Sequence, residues 1–133
     1  MRNLEKVGTV ERVLRWKTLT LNLDLRRARV NGAQLELRPA EFDILLLLLS
    51  RRNVALSKDA ILEAVYAPQD RPDPRMIDVF VHRLRRKLAA AGLANAIASV
   101  WGRGYAVADW GDGDAGPEEP LTSGGAKLRL AAA

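Results

Sequence analysis

The stretch MIDVFVHRLRRKL, residues 76–88, combines apolar and cationic side chains at helical spacing. At 100° per residue, one face collects the apolar residues Ile77, Phe80, Val81, Leu84 and Leu88, which predicts a face buried in a core. The cationic side chains lie away from that face and are dense between residues 83 and 87. A merely solvated helix usually mixes charges of both signs. The pattern therefore predicts a helix packed on one side and presented to a polyanion on the other.

The composition of the chain narrows its class. Its 133 residues suit one compact domain, and the net charge of +5 with a pI near 10.1 favours an anionic partner. The absence of cysteine excludes disulfides and thiol chemistry, and a single histidine argues against a metal site, so we expect no metal and no cofactor. The longest apolar run, residues 44–49, is far shorter than the about 20 residues that a bilayer span needs. With no signal peptide in the first residues, we expect a cytoplasmic protein.

The segment 10–37 has the pattern of short strands. LTLNL (19–23) and AQLEL (33–37) alternate apolar and polar residues, which is the period of a half-buried strand. Asn31-Gly32 between them is a strong two-residue hairpin signal because both residues tolerate positive φ. These features predict a small antiparallel sheet.

From Pro39 the pattern becomes helical. PAEFDILLLLLSRR places Phe42, Leu45, Leu46 and Leu49 on one stripe, and Pro39 suits a first helical turn. Ser57 is expected to cap a second helix, KDAILEAVY. The proline-rich segment 67–74 is expected to be a loop. A third helix is expected from about Arg75 to Ala91, ending before Gly92.

The segment AIASVWGRGYAVAD (96–109) predicts a β-hairpin with WGRG at its tip. The order of elements predicts an α+β fold, a winged helix-turn-helix with an N-terminal antiparallel sheet, a three-helix core and a C-terminal β-hairpin wing. We expect a winged-helix DNA-binding domain over 10–109 and an N-terminal extension over 1–9. Residues 110–133, acidic, rich in Gly and Pro and ending in AAA, are expected to be a disordered tail.

In such a fold the third helix enters the major groove and the wing reaches the minor groove of double-stranded DNA. Side chains expected at base edges are Val79, His82, Arg83 and Arg86. Those expected at phosphates are Arg75, Arg85, Lys87, Ser99 and Tyr105. The wing-tip residues expected at the minor groove are Trp101 and Arg103. For Trp101 the sequence leaves packing under the wing and contact with the DNA backbone equally open.

RMIDVFVHRLRRKL, SVWGRGYAV and ELRPAEFDILLLL together resemble the OmpR/PhoB-type effector domain of bacterial response regulators, and are most similar to its CtrA-like cell-cycle regulators. The resemblance covers about residues 16–109. It implies a four-stranded N-terminal sheet, regulation of transcription, and binding to direct-repeat half-sites, often as a tandem dimer. It also implies an RNA polymerase contact through the loop residues Gln69, Asp70, Arg71 and Asp73.

The sequence departs from that family in three respects. No receiver domain precedes the effector region, which indicates either an excised domain or a stand-alone regulator. Trp101 stands where the family has an arginine in the wing, and the cation moves to Arg103. Met76, assigned to the DNA backbone contacts, stands where relatives have a small polar residue, so one phosphate contact is expected to be lost. The terminal RLAAA resembles ends recognised by bacterial proteases; a disordered end or a cloning remnant is the alternative.

Other functions remain open at this point. A winged helix also serves as a protein-interaction module, here for an acidic partner such as an RNA polymerase subunit. We expect no enzyme, since Asp78 and His82 have no nucleophile or metal cluster beside them and an i,i+4 ion pair explains their spacing. Membrane-surface binding is disfavoured because the basic helix shows no large exposed apolar face.

Overall fold

The computed structural model describes residues 12–109. The predicted extension 1–9 and the tail 110–133 with its RLAAA end lie outside the described residues. The elements, in chain order, are β1 (Val13–Trp16), β2 (Leu19–Asn22), β3 (Arg27–Val30), β4 (Ala33–Leu35), α1 (Pro39–Ser50), α2 (Lys58–Val65), α3 (Arg75–Ala90), β5 (Ile97–Val100) and β6 (Gly104–Val107).

The first four strands form an antiparallel sheet in the order β1-β2-β3-β4, as the family resemblance implied. Its inner face is buried and consists of Trp16, Leu19, Leu21, Ala28 and Val30. The hairpin between β3 and β4 turns at Asn31 and Gly32, with φ values of 54° and 83°. Both residues adopt the left-handed conformation that a two-residue hairpin requires, so the prediction from Asn-Gly is confirmed.

Helix α1 begins at Pro39 as predicted, and the backbone N–H of Arg38 donates to Oε1 of Glu41 at 2.9 Å. The predicted apolar stripe is correct at Phe42, Leu45 and Leu49 but wrong at Leu46, which is only partly buried. Ile44 and Leu48 are fully buried instead. The buried surface is wider than one stripe because α1 packs against β1, α2, α3 and β6.

The predicted cap of α2 is confirmed, because Ser57 Oγ accepts a hydrogen bond from the backbone N–H of Ala60 at 3.0 Å. The segment 67–74 was expected to be a loop, but it is not irregular throughout. Pro68–Asp70 forms one turn of 3-10 helix. Pro68 is compatible with this turn because the N–H of a first helical residue has no hydrogen-bond partner within the helix, so proline loses no bond there.

Helix α3 ends in a Schellman motif at the predicted glycine. The N–H of Leu93 donates to the carbonyl of Leu88 at 2.8 Å, and the N–H of Gly92 donates to Ala89 at 3.0 Å. Gly92 has φ +103°, which an L side chain rarely adopts. The buried positions of α3 are Ile77, Val81, Leu84 and Leu88, as the spacing predicted, whereas Phe80, also placed on that face, is only partly buried.

The last two strands form the predicted hairpin, the wing, with its turn at residues 101–103. A feature that the sequence did not reveal is a β-bridge from the wing to the α1–α2 connection. Leu56 N donates to Tyr105 O at 2.8 Å, and Tyr105 N donates to Leu56 O at 3.0 Å. The α+β winged helix-turn-helix predicted from the order of elements is confirmed.

Candidate nucleic-acid interface

The side of α3 that faces away from the core carries the residues predicted to meet base edges. His82, Arg83 and Arg86 are exposed, and Val79 is 37% exposed. The core residues of α3 project to the opposite side because the two sets are offset by about half a turn. The structure thus brings these four side chains together on one surface.

Arg85, which the sequence predicts to contact phosphates, also links α3 to the wing. Its guanidinium donates to the carbonyl of Ile97 at 3.0 Å and to Ser99 Oγ at 2.8 Å. It also lies over the ring of Tyr105, 5.3 Å from the ring centroid. Arg85 therefore fixes strand β5 against α3, and Ser99 is already one of its partners.

Lys87, also expected at phosphates, has a partner inside the fold. Its Nζ lies 2.6 Å from Oε1 of Glu41, whose side chain is fully buried in α1. The second carboxylate oxygen, Oε2, has no hydrogen-bond partner among residues 12–109. Burial of a carboxylate costs desolvation free energy unless a cation pairs with it, so Lys87 stabilises the packing of α3 on α1.

Asp78 joins the start of α3 to α2 and to the wing. It accepts hydrogen bonds from Lys58 Nζ at 2.8 Å and from the hydroxyl of Tyr105. The bond from Lys58, and to a smaller extent the bond from Tyr105, hold the pKa of Asp78 below its usual value. Burial, and then the bond to Asp78, raise the pKa of Tyr105. The expected ion pair between Asp78 and His82 is thus replaced by contacts to neighbouring elements.

The N-terminal end of α3 is ordered by Asp73. Its carboxylate accepts hydrogen bonds from the backbone N–H of Arg75 at 2.8 Å and from the Arg75 guanidinium. The bonds to the Arg75 side chain and backbone lower the pKa of Asp73 to about 2. The side chain of Arg75 remains 86% exposed despite this pair. Met76 follows in the first turn and is half-buried.

The wing tip presents two side chains to solvent. Trp101 is 96% exposed, so the alternative that it packs under the wing is wrong. Arg103 is exposed beside it, and its N–H donates to the carbonyl of Val100 at 2.9 Å, which closes the turn. Gly102 between them has φ +74°, as turns of this kind require.

The base of the wing is held at several points. A Cβ added to Gly104, whose φ is +131°, would lie 2.0 Å from the carbonyl oxygen of Leu56. Asp109 exchanges two hydrogen bonds with the side chain of Asn53, at 3.1 and 3.0 Å, and accepts a third from Trp16 Nε1 at 3.2 Å. The bonds from Asn53 and Trp16 lower the pKa of Asp109. Nothing in the periodicity of the sequence indicated these contacts, since they join distant segments.

The loop between α2 and α3 is open to solvent. The residues predicted to face RNA polymerase, all of them exposed, are Gln69, Asp70, Arg71 and Asp73. Within residues 12–109, no cluster of three His, Asp or Glu side chains is arranged to hold a metal ion. In the same range no helix combines the length and apolarity needed to cross a bilayer.

Comparison with known proteins shows which family has this architecture. Residues 32–107 match the family described as "Transcriptional regulatory protein, C terminal". The cell cycle transcriptional regulator CtrA of Caulobacter vibrioides is 37% identical over 103 residues, which are 77% of this chain and 45% of CtrA. The chain therefore spans less than half the length of the curated relatives that it matches.

Solved structures of similar fold agree with this match. The DNA-binding domain of CpxR from E. coli has a TM-score of 0.63 and 29% identity, covering 73% of this chain and 96% of that one. The DNA-binding domain of RstA from Klebsiella pneumoniae, in complex with RstA box, has a TM-score of 0.60 and 29% identity, covering 73% and 97%. The chain belongs to the OmpR/PhoB-type family of transcriptional regulatory C-terminal domains, a family of regulators rather than enzymes.

Proposed function

We propose that this chain is a sequence-specific regulator of transcription that binds double-stranded DNA, with α3 in the major groove and the wing at the minor groove. The observation that carries the proposal is the exposed face of α3. Arg83 and Arg86 project from it, and no carboxylate among residues 12–109 pairs with either. Clustered guanidinium groups without internal partners are suited to a polyanion.

The side chains of this face have the chemistry for base recognition. Arg83 and Arg86 can each donate two hydrogen bonds to O6 and N7 of guanine, and His82 lies beside them. Val79 offers an apolar contact for a thymine methyl group. These four residues would supply the sequence preference of the domain.

The proposed phosphate contacts differ in strength because some of the side chains already form hydrogen bonds or ion pairs within the protein. Arg75 is the best placed, since most of its side chain is exposed. Arg85, Ser99 and Tyr105 retain this role only through atoms that their mutual contacts leave free, while Lys87 is committed mainly to Glu41. Met76 supplies no charge or hydrogen-bond donor to a phosphate.

At the wing tip, Arg103 would enter the minor groove, whose negative potential attracts arginine. Trp101 would lie against the sugar edge or a base step, where an apolar side chain is covered on binding. The high exposure of Trp101 supports this role, because a large apolar side chain held in water gains from any surface that covers it.

We further propose that two copies bind direct-repeat half-sites as a tandem dimer, and that the exposed loop residues Gln69, Asp70, Arg71 and Asp73 contact RNA polymerase. The protein would then act in the bacterial cytoplasm, at the nucleoid. Selecting bound duplexes from a random pool tests the first point. Two repeats about one helical turn apart are expected, whereas winners that share no sequence would contradict the proposal.

Two substitutions test the division of roles on α3. Arg83→Ala is expected to cost about 1–3 kcal/mol on the preferred duplex and to relax the base preference. Arg75→Ala, which removes a proposed phosphate contact, is expected to weaken all duplexes alike and to reduce the log-log salt slope by about one. Equal losses on every duplex for both variants would reject base recognition by Arg83.

The second candidate function is a protein-interaction module for an acidic partner such as an RNA polymerase subunit. The exposed Trp101 favours it, since aromatic side chains are common anchors of protein interfaces. Binding to duplexes that is weak and independent of sequence, together with saturable binding to an acidic protein, would support this alternative over DNA recognition.

A further inference from the structure

We propose that the outer face of the β1–β4 sheet is a docking surface for the acidic segment 110–119 of the same chain. Three exposed arginines define this outer face: Arg15, Arg27 and Arg29. Arg15 lies opposite Thr20, and Thr20 lies opposite Arg29, so the two arginines share one row across three strands. Arg27 is two residues before Arg29 and therefore projects to the same side.

These arginines differ from the other cations of the sheet region. Arg12 pairs with Asp24, and Arg26 pairs with Asp43. By contrast, no carboxylate within residues 12–109 pairs with the arginines of the outer face. Glu36 follows β4 on the side of Gln34, which lies opposite Arg29, and it accepts a hydrogen bond from Gln34. Three arginines against this one glutamate leave the outer face with an excess of positive charge.

The DNA surface proposed above does not account for this charge. Helix α1 packs against β1 on one side and against α3 on another. It therefore separates the sheet from α3, and the outer face and the exposed side of α3 point in different directions. A straight duplex bound by α3 would leave the arginines of the outer face in solvent.

The position where the described chain ends favours its own acidic segment as the occupant. Asp109 is hydrogen-bonded to Trp16, the last residue of β1, so the described chain ends at the β1 edge of this sheet. Segment 110–119 contains no cation, and its acids are Asp112, Asp114, Glu118 and Glu119. Ten residues span at most about 35 Å, whereas β1 and β3 are only about 10 Å apart. Both charge and reach therefore match.

Docking of this segment would have a consequence for DNA binding. Uncovered arginines attract any duplex through counterion release, whatever its sequence. An acidic segment over the outer face would remove that attraction and leave the exposed face of α3 and the wing tip as the surface that meets DNA. Docking itself does not depend on the proposed function and is tested without DNA.

The absence of cysteine from the chain allows a clean test on the full-length protein. A spin label attached through Ser123→Cys, just beyond the acidic segment, broadens the NMR signals of nearby amides. At low ionic strength we expect broadening of amides in β1, β2 and β3, and its loss at high salt. Broadening centred on α3 and the wing would show that the segment covers the proposed DNA surface instead, and would overturn the proposal, as would no localised broadening.

Two sets of substitutions assign the effect to charge. Neutralising the segment (Asp112→Asn, Asp114→Asn, Glu118→Gln, Glu119→Gln) leaves residues 12–109 unchanged and should abolish the broadening. Replacing the outer-face arginines (Arg15→Gln, Arg27→Gln, Arg29→Gln) should do the same. The matched control removes three exposed arginines elsewhere (Arg71→Gln, Arg83→Gln, Arg86→Gln) and should preserve it. If the control set also abolishes the broadening, net charge rather than the outer face is responsible, and the proposal fails.

A mixed sample distinguishes docking within one chain from docking between chains. Spin-labelled protein without isotope is mixed with unlabelled, isotope-enriched protein. We expect no broadening in the mixture at low concentration, because the segment is tethered to its own sheet. Broadening of β1–β3 in the mixture equal to that in the single labelled chain would mean that a second copy is the occupant, contrary to the proposal.

Discussion

Two groups of residues in α3 and the wing contain similar residue types but differ in their surroundings: one group is exposed to solvent, and the other contacts neighbouring elements. The reading surface comprises side chains that point into solvent: Val79, His82, Arg83, Arg86, Trp101 and Arg103. The supporting contacts hold the wing and α3 in place: Lys87–Glu41, Arg85–Ser99, Asp78–Tyr105 and the approach of Gly104 to Leu56. Cations occur in both groups. A positive charge on α3 is therefore available to a partner only where no neighbouring element has already engaged it.

The difference is sharpest among the cations between residues 83 and 87. Arg83 and Arg86 are exposed and form no side-chain hydrogen bond or ion pair within residues 12–109, whereas Arg85 bonds to the wing and Lys87 to α1. Substitutions in the reading surface should change binding and leave stability nearly unaltered. Substitutions in the supporting contacts should lower the free energy of unfolding first. Matched pairs of variants, one from each group, test this separation.

The largest effect is expected at the base of the wing. Gly104→Ala places a Cβ against the backbone carbonyl of Leu56 at a positive φ, so the bridge to Leu56 must break. Strain of about 1–3 kcal/mol and two lost hydrogen bonds predict a loss of about 3–5 kcal/mol in the free energy of unfolding, measured in urea. Gly102→Ala at the tip has open space around its Cβ and is expected to cost about 1 kcal/mol. Equal costs would contradict the close packing of the wing base.

The ion pair between α1 and α3 comes next. Lys87→Met leaves the buried carboxylate of Glu41 without its cation and is expected to cost about 3 kcal/mol, the lower end for a buried pair because the lysine side chain is 33% exposed. Arg86→Met, one residue earlier on the exposed face, should stay within about 0.5 kcal/mol of the unmodified protein. Adding Glu41→Gln to Lys87→Met should recover part of the loss. Thermal unfolding of the unmodified protein, Lys87→Met, Glu41→Gln and the double variant measures this, and additive losses would exclude the coupling.

A smaller effect is expected at Asp78, and it depends on pH. Because the pKa of Asp78 is lowered in the folded state, its contribution is complete above its usual pKa near 3.8. It is lost as the pH falls through the lower folded-state value. Asp78→Asn should cost about 1 kcal/mol at pH 7, since both partners are substantially exposed, and close to nothing at the acidic limit. Parallel curves of unfolding free energy against pH for the two proteins would argue against this role.

The smallest effect on stability is expected at Trp101. Trp101→Ala should leave the unfolding free energy within about 0.5 kcal/mol, because the side chain is almost fully exposed. Trp16→Ala, which removes a buried tryptophan, should cost about 3–5 kcal/mol. Affinity for the selected duplex should nevertheless fall with Trp101→Ala. A large loss of stability in this variant would mean that the indole has a packing role.

Most of the fold followed from local patterns. The Asn31-Gly32 hairpin, the Ser57 cap and the helix end at Gly92 each depend on residues close in sequence, so the sequence predicts them directly. The stripe of α1 was misjudged at Leu46 because a central helix has more than one packing partner. The engagement of Lys87 with Glu41 could have been suspected only by pairing a buried acid on one helix with a cation on another.

The sequence by itself determined the elements, their order, the family and the side of α3 that is buried, because these depend on periodicity and on short motifs. Only the tertiary structure decided which cations are free, where the wing is fastened and that Trp101 is exposed. These properties arise from contacts such as Lys87 with Glu41 and Leu56 with Tyr105, whose partners are dozens of residues apart. Helical periodicity gives the direction in which a side chain leaves its own helix, but not what the rest of the chain places there.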